Sequence, residues 1–215
     1  NTKFKEEDYK EDKNLLLDFY NSRGYRNATI LSDSIYKIGN NRIGIHLDVA
    51  EGEKFYIRDV KWVGNSVYET DYLQRFFSVK KGDVYDKKSM HKRLGVGREV
   101  DPEQQSVSSF YQNSGYLMSQ IDPTEVVVGK DSIDMVINIF EGKPFTINEV
   151  GISGNVRVDD EVIRRELAIY PGMLYDRSLL MYTLRQLMGM GHFDPEALQP
   201  DVQPVNDELV NVNFP

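Results

Sequence analysis

Apolar and polar residues alternate along 42–49. Ile43, Ile45, Leu47 and Val49 fall on one side, and Arg42, Gly44, His46 and Asp48 on the other. A period of two predicts a strand with one buried and one wetter face. The run from Ile30 to Ile38 and the Gly39-Asn40-Asn41 turn make it the return half of a hairpin. The same hairpin recurs as Val126-Val127-Val128, Gly129-Lys130-Asp131 and Ile133 to Ile139. It recurs again, with a weaker first strand, before Asn206-Asp207 and Val210, Val212 and Phe214. Elsewhere the period becomes helical. Leu73, Phe76 and Phe77 stand at i, i+3, i+4, Ile163 and Leu167 are four apart, and Leu15, Leu16, Phe19 and Tyr20 predict a buried stripe.

These elements belong to an internal repeat. Glu51-Gly52 through Gly64-Asn65 matches Glu141-Gly142 through Gly154-Asn155 without a gap, and Gly82-Asp83-Val84-Tyr85-Asp86 matches Gly172-Met173-Leu174-Tyr175-Asp176. A looser echo joins Tyr20 to Tyr25, Tyr111 to Tyr116 and Met188 to Phe193. Each repeat opens with a strand such as Phe55 to Val63, closed by a Gly-Asn turn. Ser66-Val67-Tyr68-Glu69 predicts a capping box for the first helix, and Asp159-Asp160-Glu161 opens its counterpart. A second helix ends near Gly24, Gly115 and Gly191. In the middle copy Gly95-Val96-Gly97 interrupts that helix, and Asp101-Pro102 restarts it as a cap followed by proline.

The order is strand, helix, helix, strand, strand, so the fold class is α+β. The chain divides into units at 1–53, 54–143 and 144–215. In each unit two helices cover one face of a three-stranded mixed sheet, with the first strand parallel to the third. If the third strand is central, the second is an exposed edge. The first unit lacks its opening strand and helix, and the last stops just short of the next Glu-Gly. The chain reads as a fragment of a longer array.

Charge and composition narrow the function. The 215 residues carry a net charge of −8 and no dense basic cluster, which argues against nucleic acid as a partner. No Cys is present, which excludes disulfides and thiolate chemistry. No apolar run suggests a membrane helix, and Asn1 to Glu7 carries no signal-peptide core. His46, His91 and His192 fall one per unit without ligand-like spacing, so no metal or other cofactor is expected. Gly95-Val96-Gly97-Arg98-Glu99-Val100 lacks the third glycine and the preceding strand of a dinucleotide loop. No catalytic constellation emerges. Trp62 is either an exposed anchor or packed against the helices or the next domain.

The βααββ unit, its aromatic-Gly-Tyr helix end and its Glu-Gly…Gly-Asn junction resemble the POTRA (polypeptide-transport-associated) domain. The resemblance is strongest in the last copy: Gly154-Asn155, Val162-Ile163-Arg164-Arg165-Glu166-Leu167, Pro171-Gly172, Leu184-Arg185 and Gly191-His192-Phe193-Asp194-Pro195-Glu196. That series is similar to the membrane-proximal POTRA domain of outer-membrane β-barrel assembly factors, in the style of Bacteroidetes members. The resemblance implies a non-enzymatic periplasmic scaffold, tethered to the outer membrane through a C-terminal barrel that this fragment lacks. It also implies as partners unfolded outer-membrane β-barrel proteins and accessory lipoproteins. Two other readings stay open on the sequence: the POTRA arm of a related secretion transporter, and a structural envelope or adhesion module.

The expected site is the edge strand, whose unpaired N–H and C=O groups can accept an extended client through main-chain bonds. The candidates are Leu31, Asp33 and Ile35 in the first copy and Val126, Val127 and Val128 in the middle one. Arg164 and Arg165 are candidates for partner docking, with pairing to Glu161 or Glu166 as the alternative.

Overall fold

The computed structural model describes residues 4–39, 42–97, 104–154, 158–191, 193 and 198–215. Of the residues singled out above, Asn40-Asn41, Arg98 to Val100, Asp101-Pro102, Asn155, His192 and Asp194-Pro195-Glu196 lie outside the described residues. In chain order the elements are α1 (Glu6–Ser22), β1 (Thr29–Lys37), β2 (Ile43–Ala50), β3 (Tyr56–Val63), α2 (Thr70–Phe77), α3 (Lys87–Leu94) and α4 (Val107–Asn113). They continue with β4 (Gln120–Val128), β5 (Ser132–Phe140), β6 (Thr146–Ile152), α5 (Asp160–Glu166), α6 (Arg177–Gly189), β7 (Asp201–Pro204) and β8 (Leu209–Phe214). The elements group into two compact units. One contains Asn1–Val63, Tyr68–Asp101 and Asp122–Asn138; the other contains Gly64–Val67, Pro102–Ile121 and Ile139–Pro215.

In the first unit, β1 and β2 form an antiparallel pair, and a second sheet has the order β3-β5-β4. Strand β3 runs parallel to the central β5. On β5 the alternation works as the pattern requires: Ile133, Met135 and Ile137 are wholly buried, as are Leu73, Phe77 and Leu94 from the helices. Trp62 packs edge-on against Phe77 of α2 and donates its indole N–H to Gln74 Oε1 at 2.7 Å, so it is held against a helix.

The first hairpin is different. Ile43 and Ile45 are exposed, as are Leu15 and Phe19 of α1, whose buried residue is Tyr9. The expected buried stripe and dry strand face are therefore corrected. In the middle copy a parallel strand and two further helical segments accompany these elements. In the first copy the described residues supply only one helix and two strands.

The second unit contains a sheet of order β6-β8-β7, with β6 parallel and β7 antiparallel to the central β8. Val210, Val212 and Phe214 alternate into a core with Ile147, Val150, Ile163, Leu180 and Leu187, against which Leu117 also packs. Helix α4 begins at Ser106, where the Ser106 and Ser109 side chains each accept from the other's backbone N–H. Helix α4 thus has a Ser-x-x-Ser box as its cap.

The repeated motifs now have physical meanings. Asp86 and Asp176 cap α3 and α6 through Ser89 N–H and Ser178 N–H. The residue before each is a buried tyrosine. Tyr175 lies in the core, where burial pushes its hydroxyl up to about 12, Arg177 working against that shift and Asp176 with it. Val84 and Leu174 bridge to Tyr56 and Thr146, on the first strand of each sheet. At the helix ends Gly24 and Gly115 have φ of +96° and +91°, and their carbonyls accept from Phe55 N–H and Phe145 N–H. A Cβ on either glycine would press within 3 Å of Val84 or Leu174.

Both parallel pairs also carry a bulge at the same repeat position, Arg58 in β3 and Asn148 in β6. Each bulged side chain reaches across to the central strand. Arg58 Nε donates to Asp134 Oδ1 at 2.7 Å, and Asn148 Nδ2 to Asn211 Oδ1 at 2.8 Å.

The Glu-Gly junction is a latch. Glu141 Oε1 accepts from Ser66 N–H at 2.7 Å, Val67 N–H at 2.8 Å and Tyr111 O–H at 3.0 Å, while Oε2 takes the Ser66 hydroxyl. Ser66 is therefore not the box residue of α2, which starts after Glu69 without a side-chain cap. In the first copy Glu51 lies close enough to Tyr20 that, after burial, its charge helps to raise the Tyr20 hydroxyl above the ordinary phenol value.

Candidate functional site

Strand β4 sits at one edge of its sheet, and two prolines show how these edges are built. Pro123 lies in β4 and Pro204 in β7, both edge strands, whereas the central β5 and β8 contain none. Proline donates no N–H, so it is tolerated at a sheet edge and blocks pairing locally. The stretch of β4 beyond Pro123 is 124–128. Val126 and Val127 are 47% and 45% exposed, and Val128 is half-buried.

Between Pro123 and the valines, Glu125 anchors the strand. Its side chain is 9% exposed, Arg26 Nε approaches Oε2 at 3.2 Å, and Tyr85 donates to Oε1 at 2.8 Å. Burial first, and the hydrogen bond to Glu125 second, push the Tyr85 hydroxyl well above the ordinary phenol range. The sequence reading missed Glu125. Its signal was a lone acidic residue in an apolar run, with no partner visible until the chain folds.

The first-copy candidates lie on β1, which pairs with β2 alone among the described residues. Leu31 is the bulged residue of that pair and 71% exposed. Asp33 accepts from Tyr9 O–H at 3.0 Å and Lys13 Nζ at 2.7 Å on α1, and these bonds, led by Lys13, hold its carboxyl below the ordinary value. Ile35 stands opposite Ile45, and both are exposed. Asp33 is thus tied to a helix, while Leu31 and Ile35 are open.

Arg164 and Arg165 occupy the last turn of α5. Arg164 Nε donates to Asp160 Oδ2 at 2.6 Å, and Nη1 reaches the Val150 carbonyl at 3.4 Å. The intrahelical partner is Asp160, one turn back, in place of Glu161 or Glu166. Arg165 is exposed and makes no ion pair among the described residues. Because the Arg164–Asp160 pair is exposed, Arg164→Ala should lower the unfolding free energy by only about 0.5 kcal/mol, read from the shift in urea midpoint.

Among the described residues no three His, Asp or Glu side chains converge as a metal site, and no helix is long and apolar enough to cross a membrane.

The mixed βααββ sheets, the Glu-Gly latch and the second strands placed at the sheet edges define a class. A family profile described as "POTRA: Surface antigen variable number repeat" matches residues 1–52, 55–142 and 145–214, and the chain belongs to this non-enzymatic family. The array is similar to those of BamA-like outer-membrane protein assembly factors. It is 28% identical over 204 residues to the outer membrane protein assembly factor BamA of Neisseria meningitidis, covering 93% of this chain and 25% of that protein. It is 24% identical over 184 residues to BamA of Neorickettsia risticii, covering 85% of this chain and 23% of that one. Among solved structures, the Haemophilus influenzae BamA POTRA3-5 fragment matches the whole chain and 82% of its own, with a TM-score of 0.71 at 18% identity, a likeness of fold. The chain spans about a quarter of the length of the curated relatives it matches.

Proposed function

We propose that this array is the periplasmic arm of an outer-membrane assembly factor. It receives unfolded β-barrel proteins by strand addition at its sheet edges, and a C-terminal barrel tethers it to the outer membrane. The three-repeat division at 1–53, 54–143 and 144–215 belongs to this reading. The observation that carries it is β4: an edge strand whose inner side is pinned by Glu125 and whose far end, Val126 and Val127, faces outward. Main-chain pairing is indifferent to side-chain identity, which suits a receptor for many barrel precursors. On β1, Leu31 and Ile35 offer a second rim, while Asp33 positions the strand against α1. Arg165 is the docking cation for an accessory lipoprotein, since Arg164 is already engaged by Asp160.

The test is a photo-crosslinker at Val126 and a peptide copied from one strand of an unfolded barrel protein. Val127→Ala should crosslink as the parent does, and Val127→Pro should lose most of the product with its thermal transition retained. Full crosslinking by a folded Val127→Pro protein would remove β4 as the receptive edge.

A further inference from the structure

We propose that the groove between α1 and α3 binds an acidic segment of a partner polypeptide through its carboxylates. The two helices pack together in the first unit and enclose a cavity of about 230 Å³. Lys87, His91 and Lys92 line one wall, Asp18 and Asn21 the other, with Val96 beyond the end of α3. The chain carries a net charge of −8, yet the residues lining the groove include Lys87, Lys88 and Lys92 against the one carboxylate of Asp18. Neither Lys87 nor Lys92 makes an ion pair among the described residues. A cationic wall on an acidic protein, in which Lys87 and Lys92 enter no such pair, is complementary to an anionic partner.

The geometry favours a peptide over a phosphate. Lys87 and His91 stand one turn apart, about 6 Å along the helix axis, which suits carboxylates spaced along a chain. The opposite wall carries the Asp18 carboxylate, which can accept a peptide N–H, a group that phosphate lacks. Asn21 can bond a peptide carbonyl, and Val96 offers an apolar contact. The N-terminus of α3, the usual anion cradle of a helix, is already filled by Asp86. Among the described residues lining the groove there is no arginine fork of the kind that favours phosphate.

His91 provides the probe. Burial first, and Lys87 second, hold its imidazole below the ordinary histidine value, with Glu125 pulling the other way. A carboxylate entering beside Lys87 and Lys92 therefore raises it.

The experiment follows the His91 ring by NMR in the intact chain. The titrants are a blocked Glu-Glu-Leu-Glu peptide, its all-glutamine counterpart, inorganic phosphate, and phosphatidylglycerol vesicles. The glutamate peptide should give a saturable shift and an upward move of the His91 titration. Affinity should fall with added salt, and about tenfold in Lys87→Gln/Lys92→Gln, whose changes are on exposed positions. Absence of a saturable response, equal binding of the glutamine peptide, or unchanged affinity in the double variant would overturn the proposal. A stronger response to phosphate or to vesicles would do so as well, by assigning the groove to a phosphate ligand. The strand-edge reading does not depend on the outcome, since the crosslinking experiment reports on β4 separately.

Discussion

Gly64→Ala should lower the unfolding free energy by about 3 kcal/mol or more, because the added methyl meets both backbone strain and a fixed backbone atom. Gly64 closes β3 at φ +87°, where an L side chain is strained. An added Cβ would also lie 2.1 Å from the Ile139 carbonyl oxygen, a backbone atom that cannot turn aside. Two glycines act as internal controls. Gly129 has φ +69° and nothing within 4 Å, so alanine there carries only the backbone strain, about 1 kcal/mol. Gly154, the repeat partner of Gly64, has Pro215 as its nearest atom at 3.4 Å, and should cost an intermediate amount or less. Urea midpoints for the three variants rank them. Equal losses at Gly64 and Gly129 would show that the close approach to Ile139 carries no weight.

Glu141→Gln should cost about 2 kcal/mol at neutral pH and flatten the acid limb of the stability profile. The figure is well below a sum over the Ser66, Val67 and Tyr111 bonds because the carboxylate remains partly open to solvent. Burial alone would raise this carboxyl, but hydrogen bonds from those donors outweigh it and hold the carboxyl below 4.5. A depressed folded value adds stability that is complete above the unfolded value, and it disappears as pH falls through the folded one. In the parent the loss therefore falls below about pH 4.5; in the glutamine variant that component is absent. Denaturation curves at pH 7, 4.5 and 3 measure the difference. An identical pH dependence in both proteins would mean that the latch contributes nothing when ionised.

What the sequence made legible were features written in local periodicity and in repetition. The alternation of Ile133, Met135 and Ile137, and of Val210, Val212 and Phe214, marks the central strands. The Gly24 and Gly115 helix ends, the parallel first strand and the edge position of β4 likewise emerge where the pattern puts them. What failed were inferences that needed a partner distant in sequence. Ser66 has the spacing of a cap, yet its hydroxyl finds Glu141, 75 residues away, because the sheet brings the Glu-Gly junction beside the Gly-Asn turn. Leu15 and Phe19 have helical spacing without burial, since periodicity reports what a face is fit for and not whether anything covers it. The site was legible as a strand and a topology. The anchor Glu125, joined to Arg26 across 99 residues, and the prolines that bound the open stretch became meaningful only with strand order known.

Pro123 leaves residues 124–128 as the usable length of β4, about 17 Å of extended chain. A guest zipped onto so short a ledge gains only a few main-chain bonds, and its departure is correspondingly quick. Under the strand addition proposed above, so brief a hold passes a client onward rather than storing it, with grip limited by the ring of an imino acid and not by the client's own chemistry.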